Sequence, residues 1–110
     1  MARQYYCKLV RDKIPDILAQ KNIRCFVERV TDDSEKHKLL KQKLLEEVTE
    51  YISSNDQNEL IDIFEVIAAL AGDIHKFKAL DFSDARYKKL EEKGGFTFGK
   101  VLIFTEEQEV

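Results

Sequence analysis

The stretch that decides the fold is residues 43–70, KLLEEVTEYISSNDQNELIDIFEVIAAL. It holds two apolar runs at helical spacing, broken by the turn formers SSNDQN. The run before the break belongs to a predicted helix over residues 31–54, with Leu40, Leu44, Val48, Tyr51 and Ile52 on its apolar stripe. Thr31 to Ser34 offer several N-caps for it, and acids fill its first turn. The run after the break extends the pattern over residues 59–80 and is apolar on most of its circumference, as in a central, buried helix. Gly72 is tolerated there or marks a bend. So short a connection predicts an antiparallel helical hairpin.

The flanks add smaller elements. RDKIPDILAQKN (residues 11–22) reads as a short helix, with Asp12 as N-cap, Pro15 in the first turn and Asn22 at the end. DFSDARYKKLEEK (residues 81–93) reads as a third long helical segment, capped by Asp81 or Ser83 and stopped by Gly94-Gly95. IRCFVERV (residues 23–30) and KVLIF (residues 100–104) are rich in β-branched and aromatic residues and are expected to pair as a small two-stranded β element. The expected fold class is thus all-α in the main, a helical bundle built on the hairpin. With 110 residues the chain is expected to be a single domain.

Composition narrows the function classes. Hydrophobic residues make up 44% and charged residues 35%, which suits a soluble helical protein with a real core. The net charge is −3 with cations spread along the chain, so duplex nucleic acid is not an expected partner. Cys7 and Cys25 have no metal-ligand spacing and read as free thiols of a reducing compartment. No apolar run is long enough to span a bilayer and no signal-peptide core is evident, so a cytoplasmic location is expected. The apolar character of residues 60–77 exceeds what a chain of this size easily covers, so a homodimer or higher homo-oligomer is expected.

Five acids interrupt the hairpin's apolar pattern: Glu46, Glu47 and Glu50 before the turn, Glu59 and Asp62 after it. Glu47 and Glu50 form an i,i+3 pair, as do Glu59 and Asp62. On a helical wheel Glu47 falls about 20° outside the apolar stripe, Glu50 about 80° and Glu46 about 120°. Folding the hairpin brings the two pairs toward each other. Four such carboxylates cannot all stay ionised without a counter-charge, and a hard divalent cation, Mg²⁺ or Mn²⁺, supplies one. The same pattern on a lysine-rich helix also describes a solvated face with i,i+4 pairs such as Lys43 with Glu47. Spacing alone leaves both readings open and names no reaction.

The arrangement E46-E47-x-x-E50 followed by E59-x-x-D62 resembles the motif of the MazG-like nucleotide pyrophosphohydrolases. That all-α group includes phosphoribosyl-ATP pyrophosphohydrolase. The flanks KLVRDKIPDIL (residues 8–18) and EEKGGFTFGKVLI (residues 91–103) are similar to the ends of a small house-cleaning subgroup. The resemblance covers residues 8–104, with one departure. Eight residues separate Glu50 from Glu59, fewer than is usual in the wider family.

The resemblance implies Mg²⁺-dependent hydrolysis of a nucleoside triphosphate, or a related and even noncanonical nucleotide, to monophosphate and pyrophosphate. It maps the metal ligands onto Glu47, Glu50, Glu59 and Asp62. Glu46 would stand beside them or orient water, so Glu46, Glu47 and Glu50 are the catalytic candidates. Lys8, Arg11 and Lys13 read as a solvated basic stretch or as phosphate contacts, and the matching flank favours contacts. Arg86, Lys89 and Lys93 recur at helical spacing and are candidates for the same anionic substrate. Gly95, within Gly94-Gly95-Phe96, either lets backbone approach substrate or is part of a helix stop. His37 and His75 receive no role. Two alternatives stand beside the enzyme: a non-catalytic helical nucleotide-binding or regulatory module, and a nuclease, which the negative charge and missing basic track disfavour.

Overall fold

A computed structural model of the chain describes residues 2–109. They are mainly helical, and no β-strand occurs among them. The chain divides into two compact units, one ending at Ala79 and one running from Leu80.

The first unit opens with an irregular lead-in to helix α1, Ile14–Gln20. Pro15 sits in its first turn, where the missing N–H leaves no hydrogen bond unmade. Lys13 rather than Asp12 stands at the N-cap and gives no side-chain cap. Asn22 ends the helix as read, with φ of 60°.

Helix α2, Asp33–Ser54, is the longest element. Asp33 and Glu35 favour its positive N-terminal end. Asn55 closes it in the left-handed conformation, with its N–H on the Tyr51 carbonyl at 2.8 Å. The turn is braced locally. Asp56 N–H donates to Ser54 Oγ at 3.1 Å, and Asp56 Oδ1 accepts from Asn58 N–H at 3.0 Å. Helix α3, Asn58–Ala69, starts at once and packs on α2, forming the hairpin.

The helical pattern after the turn ends earlier than its hydrophobicity suggests. At Leu70–Ile74 the chain widens into a π-helical turn, in which His75 N–H reaches the Leu70 carbonyl at 3.1 Å. Lys76 then adopts φ of 60°, and Phe77 N–H bonds the Ala71 carbonyl at 2.8 Å. Gly72 lies within this widened turn. A left-handed residue cannot continue a right-handed helix, so residues 76–80 do not extend it. The turn is tied to the start of α2 by Lys36 and Asp73 at 3.1 Å, and by an edge-on contact of the His37 and His75 rings.

The buried apolar core of the hairpin comprises Leu40 on α2, Val66 on α3 and Ala71 in the π turn. Helix α3 is not enclosed on all sides within one chain. Its Ile61 and Phe64 are 63% and 68% exposed, and Leu45 and Ile52 on α2 are likewise open.

The second unit carries helix α4, Ala79–Lys93, which begins two residues before the Asp81 cap position. Gly94 ends it with φ of 78° and its N–H on the Leu90 carbonyl at 2.7 Å, so the glycine stop is present as read. The expected β element is absent. Residues 23–30 and 100–104 are extended or irregular, with Phe26, Val101, Leu102 and Ile103 exposed. β-branched composition expresses fitness for a pleated, half-covered surface, and a two-stranded ribbon is marginal without a packing face.

Candidate metal centre

Glu47 is the centre of the site. It lies on α2 one position from half-buried Glu46, yet it is only 6% exposed. The packing of α3 on α2 moves the edge of the apolar stripe beyond it. Glu47 Oε1 receives Lys43 Nζ at 3.2 Å from one turn earlier. Glu47 Oε2 is buried without a hydrogen-bond partner. A buried carboxylate oxygen without a donor is costly, so it is met either by a proton on a neighbouring carboxyl or by a cation.

Two further carboxylates converge on it. Glu50 stands one turn along α2, and Glu59 enters from the first turn of α3. One oxygen from each of Glu47, Glu50 and Glu59 lies within 4.8 Å of the others. Glu59 Oε2 is also buried and unpartnered. Glu50 is the solvent-exposed member.

Electrostatics records the crowding. Withdrawal from water, then the hydrogen bond a protonated Glu59 gives to Glu47, then the charge of Glu50, push the Glu59 carboxyl up to about 7. Lys43 bridges Glu46 at 3.3 Å as well as Glu47. Partial burial opposes its charge, but the hydrogen bond to Glu47 and the charge of Glu46 prevail and hold its ammonium above the usual lysine range. Burial likewise pushes Glu46 up, but the Lys8 hydrogen bond and the Lys43 charge outweigh it and hold that carboxyl below its ordinary value.

Glu46 therefore belongs to a cationic clamp, with Lys8 Nζ at 3.2 Å, rather than to the convergent trio. Lys8 also lies over the Tyr6 ring, 5.5 Å from its centroid. Asp62, expected as a fourth ligand, is outside the trio and accepts from Arg11 Nη2 at 2.8 Å. Lys13 is exposed at the start of α1. Arg86 and Lys93 lie on α4 and Gly95 follows it, all in the second unit, where Arg86 stacks over the Tyr87 ring. The residue missed as part of the site is Lys43. Its i,i+3 and i,i+4 relation to two glutamates was legible, but read as a surface pairing.

The donor set fits a hard divalent cation. It offers three carboxylates from two helices, and buried oxygens that have no protein donor once Glu59 is ionised. With all five acids ionised, the three cations Lys8, Arg11 and Lys43 leave two negative charges uncompensated, the charge of one such ion. Comparison of the chain with family models, curated proteins and solved structures finds no match. Among the described residues no helix is long and apolar enough to cross a membrane.

A pH effect follows from Glu59. Its folded-state value, about 7, lies above the ordinary glutamate value of 4.5, so the folded state binds the proton more tightly. That contribution to stability is present below the unfolded value and is lost as pH rises through about 7. In chelator, thermal denaturation should therefore show the protein more stable at pH 5 than at pH 8. Glu59→Gln should flatten the dependence. An unchanged slope in that variant would place the titrating group elsewhere.

Proposed function

We propose that this chain is a divalent-cation-dependent nucleotide pyrophosphohydrolase. It would convert a nucleoside triphosphate, or a related and even noncanonical nucleotide, to monophosphate and pyrophosphate. The observation that carries the reading is the buried, unpartnered oxygen of Glu47 converging with Glu50 and Glu59. The sequence resemblance to MazG-like enzymes supplies the reaction, and with it a house-cleaning role.

Glu47, Glu50 and Glu59 would hold the ion, with Asp62 as a further candidate. Mg²⁺, or Mn²⁺ in its place, neutralises phosphate oxygens and lowers the pKa of water when bound. Glu50, exposed to solvent and ion-paired with no cation among the described residues, would accept the proton of an attacking water. As the water oxygen bonds to the α-phosphorus, the bond to the bridging oxygen breaks and pyrophosphate leaves. Lys43 fixes the Glu46 and Glu47 carboxylates in place. Lys8 and Arg11, already beside the acidic hairpin, and Lys13 near them in sequence, would contact phosphates. Arg86, Lys93 and Gly95 rest on the sequence reading alone.

A homodimer or higher homo-oligomer is part of the proposal, because Leu45, Ile52, Ile61 and Phe64 are apolar and uncovered in one chain. Helices of a second copy would complete a bundle. A monomeric mass by light scattering at micromolar concentration would count against it.

The functional test is a panel of normal and modified nucleoside triphosphates with Mg²⁺, read by product chromatography. Equimolar monophosphate and pyrophosphate are expected from at least one. Turnover of none removes the enzyme, and nucleotide-dependent thermal stabilisation without turnover would favour a binding module instead.

A further inference from the structure

The lead-in segment meets the acidic hairpin through ion pairs that span 38 residues, from Lys8 to Glu46, and 51 residues, from Arg11 to Asp62. The second pair has a particular position. Asp62 follows Glu59 by three residues, so it shares that residue's face of α3, one turn along from a member of the converging trio. Its carboxylate is nevertheless not one of the three, and its Oδ1 is bonded to the Arg11 guanidinium. Both partners are substantially open to solvent, with side chains 52% and 40% exposed. A pair so exposed is weak and readily exchanged.

An anionic phosphate is a better partner for a guanidinium than a single carboxylate oxygen. It carries more charge and matches the planar donor fork with two oxygens. A nucleotide arriving at Arg11 would thus release Asp62 beside a group of oxygens already suited to a divalent cation.

Resting on the metal and nucleotide reading above, we propose that Arg11 is a positioning residue that withholds Asp62 from the cation until a nucleotide phosphate takes its place. Asp62 then adds a fourth carboxylate to Glu47, Glu50 and Glu59. Metal and nucleotide binding become mutually reinforcing, each by the same factor. The ion is held loosely by the empty protein and firmly only when substrate is present.

The test is a double-mutant cycle on Mn²⁺ affinity, read by the paramagnetic resonance of free Mn²⁺. It uses wild type, Arg11→Met, Asp62→Asn and the double variant, with and without an α,β-nonhydrolysable nucleoside triphosphate. Values are corrected for binding of the ion by free nucleotide. Without nucleotide, Asp62→Asn should match wild type, and Arg11→Met should bind about three-fold more tightly, as expected for freeing one exposed pair. That gain should vanish in the Asp62→Asn background. With nucleotide, Asp62→Asn should lose about ten-fold or more in affinity relative to wild type.

Equal weakening by Asp62→Asn in both arms would make Asp62 a standing ligand and overturn the exchange. So would a gain from Arg11→Met that persists in the double variant, because general charge relief would then explain it. Should Arg11→Met fail to fold, the Asp62→Asn comparison between the two arms decides alone. Wild type that binds Mn²⁺ in neither arm overturns the metal reading itself. Wild type that binds Mn²⁺ without any coupling overturns only the exchange.

Discussion

Under the proposed pyrophosphohydrolase activity, Glu50→Ala should release pyrophosphate at least about 10²-fold more slowly than wild type, and Glu47→Gln and Glu59→Gln should fall as far. A carboxylate that both holds the cation and shapes the charge around it contributes several kcal/mol to the transition state, and each 1.4 kcal/mol is about a factor of ten. The three losses should not add. Once one member of the trio is gone, the others act on an ion that is already misplaced. The measurement is initial-rate pyrophosphate release at saturating Mg²⁺, paired with Mn²⁺ affinity, which should fall about ten-fold or more in each variant. Circular dichroism should show helical content retained, because none of the three packs as a hydrophobic core residue. Wild-type turnover in all three variants would remove the trio from the chemistry.

The second large effect concerns the scaffold. Leu40→Ala should lower the stability of the hairpin by about 2–5 kcal/mol, measured as a shift in the urea midpoint. Leu40 is 5% exposed and, with Val66 and Ala71, makes up the buried apolar core of this unit. With so few buried side chains, one truncation removes a large part of a total stability of about 5–15 kcal/mol. Gln42→Ala, at an exposed position of the same helix, should change it by no more than about 0.5 kcal/mol. Equal effects at the two positions would mean that Leu40 is not a core residue.

Much of this architecture was legible in residues 43–70. Helical periodicity and a cluster of turn formers located α2, α3 and the bend between them, because local signals suffice for a hairpin with a short connection. The failures have specific causes. Residues 23–30 and 100–104 carry strand composition, but a strand exists only through its neighbour, and composition does not supply one. Hydrophobicity continued through Phe77, while the helix stopped at a backbone angle adopted by Lys76, a residue type that does not advertise it. Phe64 fits an enclosed helix by sequence, yet one chain leaves its ring open.

The candidate site divides in the same way. The i,i+3 spacing found Glu47, Glu50 and Glu59 because each relation lies within one helix or across one turn. The wheel placed Glu47 at the edge of the core, and the structure moved it inside, because burial depends on the partner helix. Nothing in the spacing could show that Asp62 would be held by Arg11, since that pair joins segments 51 residues apart.

The buried oxygen of Glu47 also bears on how the protein would change under selection. A hydrophobic side chain at that position would remove a desolvated charge and an unsatisfied acceptor at once, and should make the empty protein harder to melt. A screen for heat resistance alone would favour substitutions there and, under the proposed function, collect inactive proteins. Survival of glutamate at position 47 under such a screen, when turnover is also demanded, would measure directly how much robustness this fold gives up to keep its site.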